Sequence, residues 1–149
     1  MNAVPIVIAA IDDSERSVRV ASHAIAEAGL RQAELHLVNV FHLPWAVYAD
    51  PGGVSAAFLE KLRDTRDHVW ERLDELISSA SVPVKKIELS GYPPSTIVRY
   101  AEEIGADLIV VGNRGAGEVR SLLLGSTSHG VIHSAHCDVL VVKTEDPAD

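Results

Sequence analysis

The sequence predicts an α/β domain built on a five-stranded parallel sheet with helices on both faces. Short runs of β-branched and aliphatic residues alternate with longer stretches of helical period. Two of those runs, residues 4–11 and 108–111, are almost free of polar side chains, as strands buried on both faces must be. The stretches between runs are long enough to carry the right-handed crossovers that parallel strands need. A chain of 149 residues, 47% hydrophobic and 23% charged, reads as one globular domain, with residues 145–149 expected to fray as an acidic tail.

Residues 4–11 form the expected central strand. Asp12, Asp13 and Ser14 then offer capping oxygens to a helix in which Val18, Ala21, Ile25 and Ala28 share a face, and Gly29 is expected to stop it. Residues 34–40 read as the second strand. Residues 41–54 contain Pro44, Pro51, Gly52 and Gly53 without helical period, so they read as a loop. The longest helix is expected over residues 55–80, with Leu59, Leu62, Val69, Leu73 and Leu76 turned inward and Arg63 and Asp67 outward. Residues 84–89 make a third strand, and Lys85-Lys86 marks it as an edge. Gly91, Tyr92, Pro93 and Pro94 turn the chain into a short helix carrying Ile97, Ala101 and Ile104 and closed by Gly105. Strands at residues 108–111 and 139–142 complete the sheet.

The formal net charge is −8, which excludes binding to nucleic acid or anionic membrane by bulk electrostatics. The lone cysteine, Cys137, cannot close an internal disulfide. The apolar run at residues 3–11 is too short to insert into a membrane and lacks a basic leader, so a soluble, cytoplasmic protein is expected.

The chemistry-bearing stretch begins where the fourth strand ends. Gly112, Asn113, Arg114 and Gly115 are followed, after nine intervening residues, by Gly125, Ser126 and Thr127. Glycines three apart let backbone N–H groups converge on an anion, and Gly125-Ser126-Thr127 opens a helix whose free N–H groups favour negative charge. Between Gly112 and Cys137 two arginines, Arg114 and Arg120, face one acid, Glu118, a small positive island on an acidic chain. Neither the G-x-x-x-x-G-K-[ST] loop nor a G-x-G-x-x-G turn after the first strand is present.

These residues satisfy G-x2-G-x9-G-[ST] in full, and the chain resembles the universal stress protein family in its ATP-binding branch. The resemblance runs from Ile11-Asp12-Asp13-Ser14 to the closing run Val139, Leu140, Val141 and Val142. It implies a flavodoxin-like three-layer α/β/α domain with sheet order 3-2-1-4-5 and a nucleotide, ATP with Mg²⁺, across the switch point. Ala10 and Asp12 would then lie near adenine and ribose, and the Val40 backbone would read the adenine edge. Gly112, Asn113, Arg114 and Gly115 would pass beneath the phosphates, while Gly125, Ser126 and Thr127 would hold the distal ones. The resemblance also implies a homodimer, or a higher oligomer, paired along residues 139–142. Two positions depart from the family pattern: Asp138 stands where proline is frequent, and Asn39 where histidine is common.

Other readings compete for the same residues. His129 and His133, spaced i,i+4 near His136 and Cys137, could hold a metal. Ser126-Thr127-Ser128-His129-Gly130 nearly matches a hydrolase elbow. Trp45 and Tyr48 could cover a nucleotide or pack on the long helix, and Asp12 with Asp13 could bring Mg²⁺ to phosphates. No general base stands out beside the glycine loop, so the expected function is nucleotide binding that controls conformation, assembly or partner choice. The alternatives are a nucleotide-independent dimeric scaffold and a slow ATPase or autophosphorylating protein.

Overall fold

The computed structural model describes residues 3–42, 49–114 and 124–144. Its elements are β1 (Ile6–Ile11), α1 (Arg16–Arg31), β2 (Glu34–Phe41), α2 (Ala56–Ser79), β3 (Val84–Ser90), α3 (Pro93–Ile104), β4 (Leu108–Gly112), α4 (Ser126–Ser134) and β5 (Asp138–Val142). The strands form one parallel sheet in the order β3-β2-β1-β4-β5, the three-layer flavodoxin-like arrangement. β1 lies at the centre, and Val7, Ile8 and Ala9 are fully buried, which explains the unbroken apolar run.

The two sheet faces bury separate cores. Alternate residues of β1 point to opposite sides, so Val7, Ala9 and Ile11 meet Val20, Ala21 and Ala24 of α1 and Val69, Trp70 and Leu73 of α2. Ile8 faces the other way, with Val38, Ile109 and Val111, against Ile97, Val98 and Ala101 of α3 and Val131 of α4.

Several boundaries differ from the sequence reading. α1 runs through Gly29 to Arg31 and ends on Gln32 in the left-handed region (φ 53°), whose N–H caps the carbonyls of Ala28 and Gly29. α3 begins at Pro93 itself, since a proline at the first helical position needs no N–H acceptor. Gly105 does close α3, with φ 68°. On α2 the inward stripe is shorter than expected: Val69, Trp70 and Leu73 are buried, but Leu59 is 44% exposed. Ser55 caps that helix, its hydroxyl accepting from the Phe58 N–H at 3.1 Å.

β3 lies at the sheet edge, as its lysines suggested. Lys85 Nζ is 3.0 Å from Glu34 and Lys86 Nζ is 3.3 Å from Asp74. Glu34 also accepts from the buried His36 at 2.6 Å. A carboxylate can only accept, so Nε2 of His36 carries that proton, and Nδ1 is hydrogen-bonded to the Tyr100 hydroxyl at 2.7 Å, tying α3 to β2. The His36 hydrogen bond, with Lys85 second, holds the Glu34 carboxyl below its ordinary 4.5. A depressed folded-state pKa stabilises the protein above the ordinary value, and that contribution is lost as pH falls through the folded one. Glu34→Gln is therefore expected to lower stability at pH 7 and to lose most of that difference near pH 3, read by urea denaturation of both proteins at each pH.

Candidate functional site

β1, β2 and β4 end on the same side of the sheet, where an open cleft lies across their carboxyl ends. Strand order reverses there: the chain leaves β1 for β2 on one side and returns at β4 on the other. Ala10, Ile11, Val38, Val40 and Val111 give the cleft an apolar floor. Pro93 and Ile97 of α3 form one wall, and Gly125, Thr127 and Ser128 at the start of α4 form another. Asp12, Gly112 and Arg114 stand at the strand ends.

The Asp12 carboxylate organises the exit from β1. Its Oδ1 accepts from the Ser14 N–H at 2.9 Å, the Ser14 hydroxyl at 2.6 Å and the Ser17 hydroxyl at 3.0 Å, while the Asp12 N–H donates to Ser17 Oγ at 2.9 Å. The expected cap of α1 by an Asp13 side chain is replaced by this turn, because the helix starts later, at Arg16 after Glu15, with no side-chain cap. Asn39, the departure from the family's histidine, is buried and donates from Nδ2 to the Ile11 carbonyl at 2.9 Å, joining the ends of β2 and β1.

At the other end of the cleft, Asn113 is 7% exposed and lies behind the lining. Its side-chain carbonyl accepts from Thr144, so this candidate residue faces β5 rather than a ligand. Arg114 lines the cleft but donates from Nη2 to the Thr144 carbonyl at 2.9 Å. Gly125 is the cap residue of α4 and supplies no side chain to its first turn, so the leading N–H groups lack intrahelical acceptors and carry the positive end of the helix dipole. Thr127 opens onto the cleft from that turn. Ser126 is exposed and faces the groove between α3 and α4. Ser128 is 1% exposed and its hydroxyl donates to the Gly125 carbonyl at 3.1 Å, an enclosed position unsuited to phosphorylation.

The structure thus brings Ala10, Asp12, Val40, Gly112, Arg114, Gly125 and Thr127 to one cleft. Gly115, Arg120, Trp45, Tyr48 and the 145–149 tail lie outside the described residues. Sequence reasoning missed Pro93 and Ile97, although a proline opening a helix was a usable signal. The histidine cluster gains no support. His129 and His133 are exposed, His136 Nδ1 pairs with Glu102 at 2.7 Å, and the described residues contain no group of three potential metal-ligating side chains. Burial pushes the Cys137 thiol above its usual range, which makes it a poor metal ligand or nucleophile. The described helices include none long and apolar enough to cross a membrane.

The sheet and cleft define a doubly wound α/β domain with a cleft beyond the carboxyl ends of its strands, the place where open α/β sheets bind ligands. The model of the universal stress protein family matches residues 5–143, and the chain belongs to that family. It is 33% identical over 132 residues to the universal stress protein MJ0531 of Methanocaldococcus jannaschii, covering 89% of this chain and 78% of that one. Its fold is similar to a crystal structure of a universal stress protein in complex with cAMP (TM-score 0.63, 27% identity, covering 97% of this chain and 100% of that chain). It is also similar to the Archaeoglobus fulgidus universal stress protein in complex with dAMP (TM-score 0.63, 25% identity, covering 96% and 100%).

Proposed function

We propose that this single-domain protein binds an adenine nucleotide, ATP with Mg²⁺, in the cleft over β1, β2 and β4, and that occupancy controls its conformation, assembly or partner choice in the cytoplasm. The observation that carries the reading is the pairing of an apolar floor with a phosphate-type end in one cleft. Val38, Val40 and Ile97 offer a surface for a base, and the first turn of α4, at Thr127 beside Gly112 and Gly125, turns backbone donors toward an anion. The cAMP and dAMP complexes of the two similar proteins favour adenine nucleotides as the ligand class.

Asp12 would orient the nucleoside end, and the first turn of α4 would hold phosphate, aided by Gly115. Mg²⁺ would arrive on the phosphates and keep several of its waters, since it dehydrates reluctantly and needs no all-protein cage. The outer strand β5 exposes a mostly apolar edge, with Val139, Leu140 and Val141 half-buried, and this edge is the proposed homodimer seam. Asp138 opens that strand in register with Leu108, so the departure from proline leaves the pairing with β4 intact. Calorimetric titration with ATP and Mg²⁺ tests the reading: saturable one-site binding is expected, and no heat up to millimolar nucleotide would refute it.

A further inference from the structure

Thr144 follows β5, contributes nothing to the lining of the cleft and lies outside the glycine motif. All three of its polar groups are nonetheless held by the two residues after Gly112. Its N–H and its hydroxyl both donate to Asn113 Oδ1, at 2.9 and 3.0 Å, and its carbonyl accepts from Arg114 Nη2 at 2.9 Å. Thr144 is 3% exposed and Asn113 7%, so water cannot replace these bonds. Asn113 in turn joins three elements through its backbone. Its N–H donates to the Val142 carbonyl at 3.0 Å, and its carbonyl accepts from the Gly125 N–H at 2.6 Å.

We propose that Thr144 is a positioning residue for the phosphate end of the cleft, acting through Asn113; this deepens the adenine-nucleotide reading and rests on it. The two-point grip on Oδ1 fixes the Asn113 side chain, which fixes the carbonyl holding Gly125. That carbonyl sets where the first turn of α4 stands relative to Gly112. The glycine motif supplies the donors, and the residue after β5 sets their spacing, which binding sites must hold to about half an ångström.

Thr144→Val removes the hydroxyl at nearly constant volume and leaves the backbone bonds in place, Thr144→Ala removes it in a second way, and Thr144→Ser restores it. Each protein is titrated with ATP and with adenosine, using displacement of a fluorescent ATP analogue to read weak binding. ATP affinity is expected to fall roughly threefold to tenfold in the valine and alanine variants, the effect of one buried hydrogen bond, with adenosine unchanged and the serine variant close to wild type. Unchanged ATP affinity in both hydroxyl-less variants overturns the proposal. An equal loss for adenosine also overturns it, since that marks general loosening rather than an effect at the phosphate end. A wild-type protein that binds neither ligand refutes the adenine-nucleotide reading itself and this proposal with it, an outcome distinct from the other two.

Discussion

Thr127→Asp is expected to weaken ATP binding by roughly a hundredfold or more while leaving the protein as stable as before, or slightly more stable. Thr127 is the second residue of α4 and opens onto the cleft. A carboxylate there would occupy the region proposed for phosphate. Two unit charges 4 Å apart near a protein surface interact by about 4 kcal/mol, and a hundredfold change in affinity needs only about 2.8 kcal/mol. The same carboxylate sits in the first turn of a helix that has no acidic residue there, where it gains about 0.3–1 kcal/mol from the dipole. Binding and stability should therefore move in opposite directions, which separates loss of a site from loss of a fold. Calorimetry with ATP and a thermal melt read the two effects. Unchanged affinity would mean that the start of α4 does not hold phosphate.

Gly130→Ala is expected to destabilise the protein by up to about 2 kcal/mol, although alanine is the better helix former. A Cβ at Gly130 would lie 2.6 Å from Cβ and 3.1 Å from Cγ of Pro94, the second residue of α3. The proline ring cannot rotate away, so α3 and α4 must separate, and overpacking of this kind costs about 1–3 kcal/mol. The gain in helix propensity is about 1 kcal/mol, which offsets part of the cost at the upper end and most of it at the lower. Both helices wall the cleft, so ATP affinity should fall with stability. Chemical denaturation checks the first effect and ATP titration the second. A variant more stable than wild type by the full propensity gain of about 1 kcal/mol would show that the two helices can part at no cost.

The central sheet was legible because burial leaves a local signature. Residues such as Val7, Ile8 and Ala9 are apolar in succession because both neighbours and both faces are occupied. Lys85 and Lys86 marked β3 as an edge for the same reason. The glycine motif was legible because few side chains tolerate a strand end beneath a ligand. What stayed hidden depends on contacts between distant segments. Asp12 rather than Asp13 organises the entry to α1 because Ser17 reaches back to it. Asn113 turns away from the cleft because Thr144, thirty-one residues on, takes its carbonyl oxygen. Pro93 and Ile97 enter the cleft because α3 begins a turn earlier than its periodic residues suggested. Local pattern shows that a side chain is buried, and only the packed chain shows against what.

The most direct test of the account is an amide NMR titration of the protein with ATP and Mg²⁺. The largest shifts are expected on the backbone amides of Asp12, Val40, Gly112, Gly125, Ser126 and Thr127, saturating together. Shifts that saturate elsewhere, or none at these residues up to millimolar ATP, would contradict it.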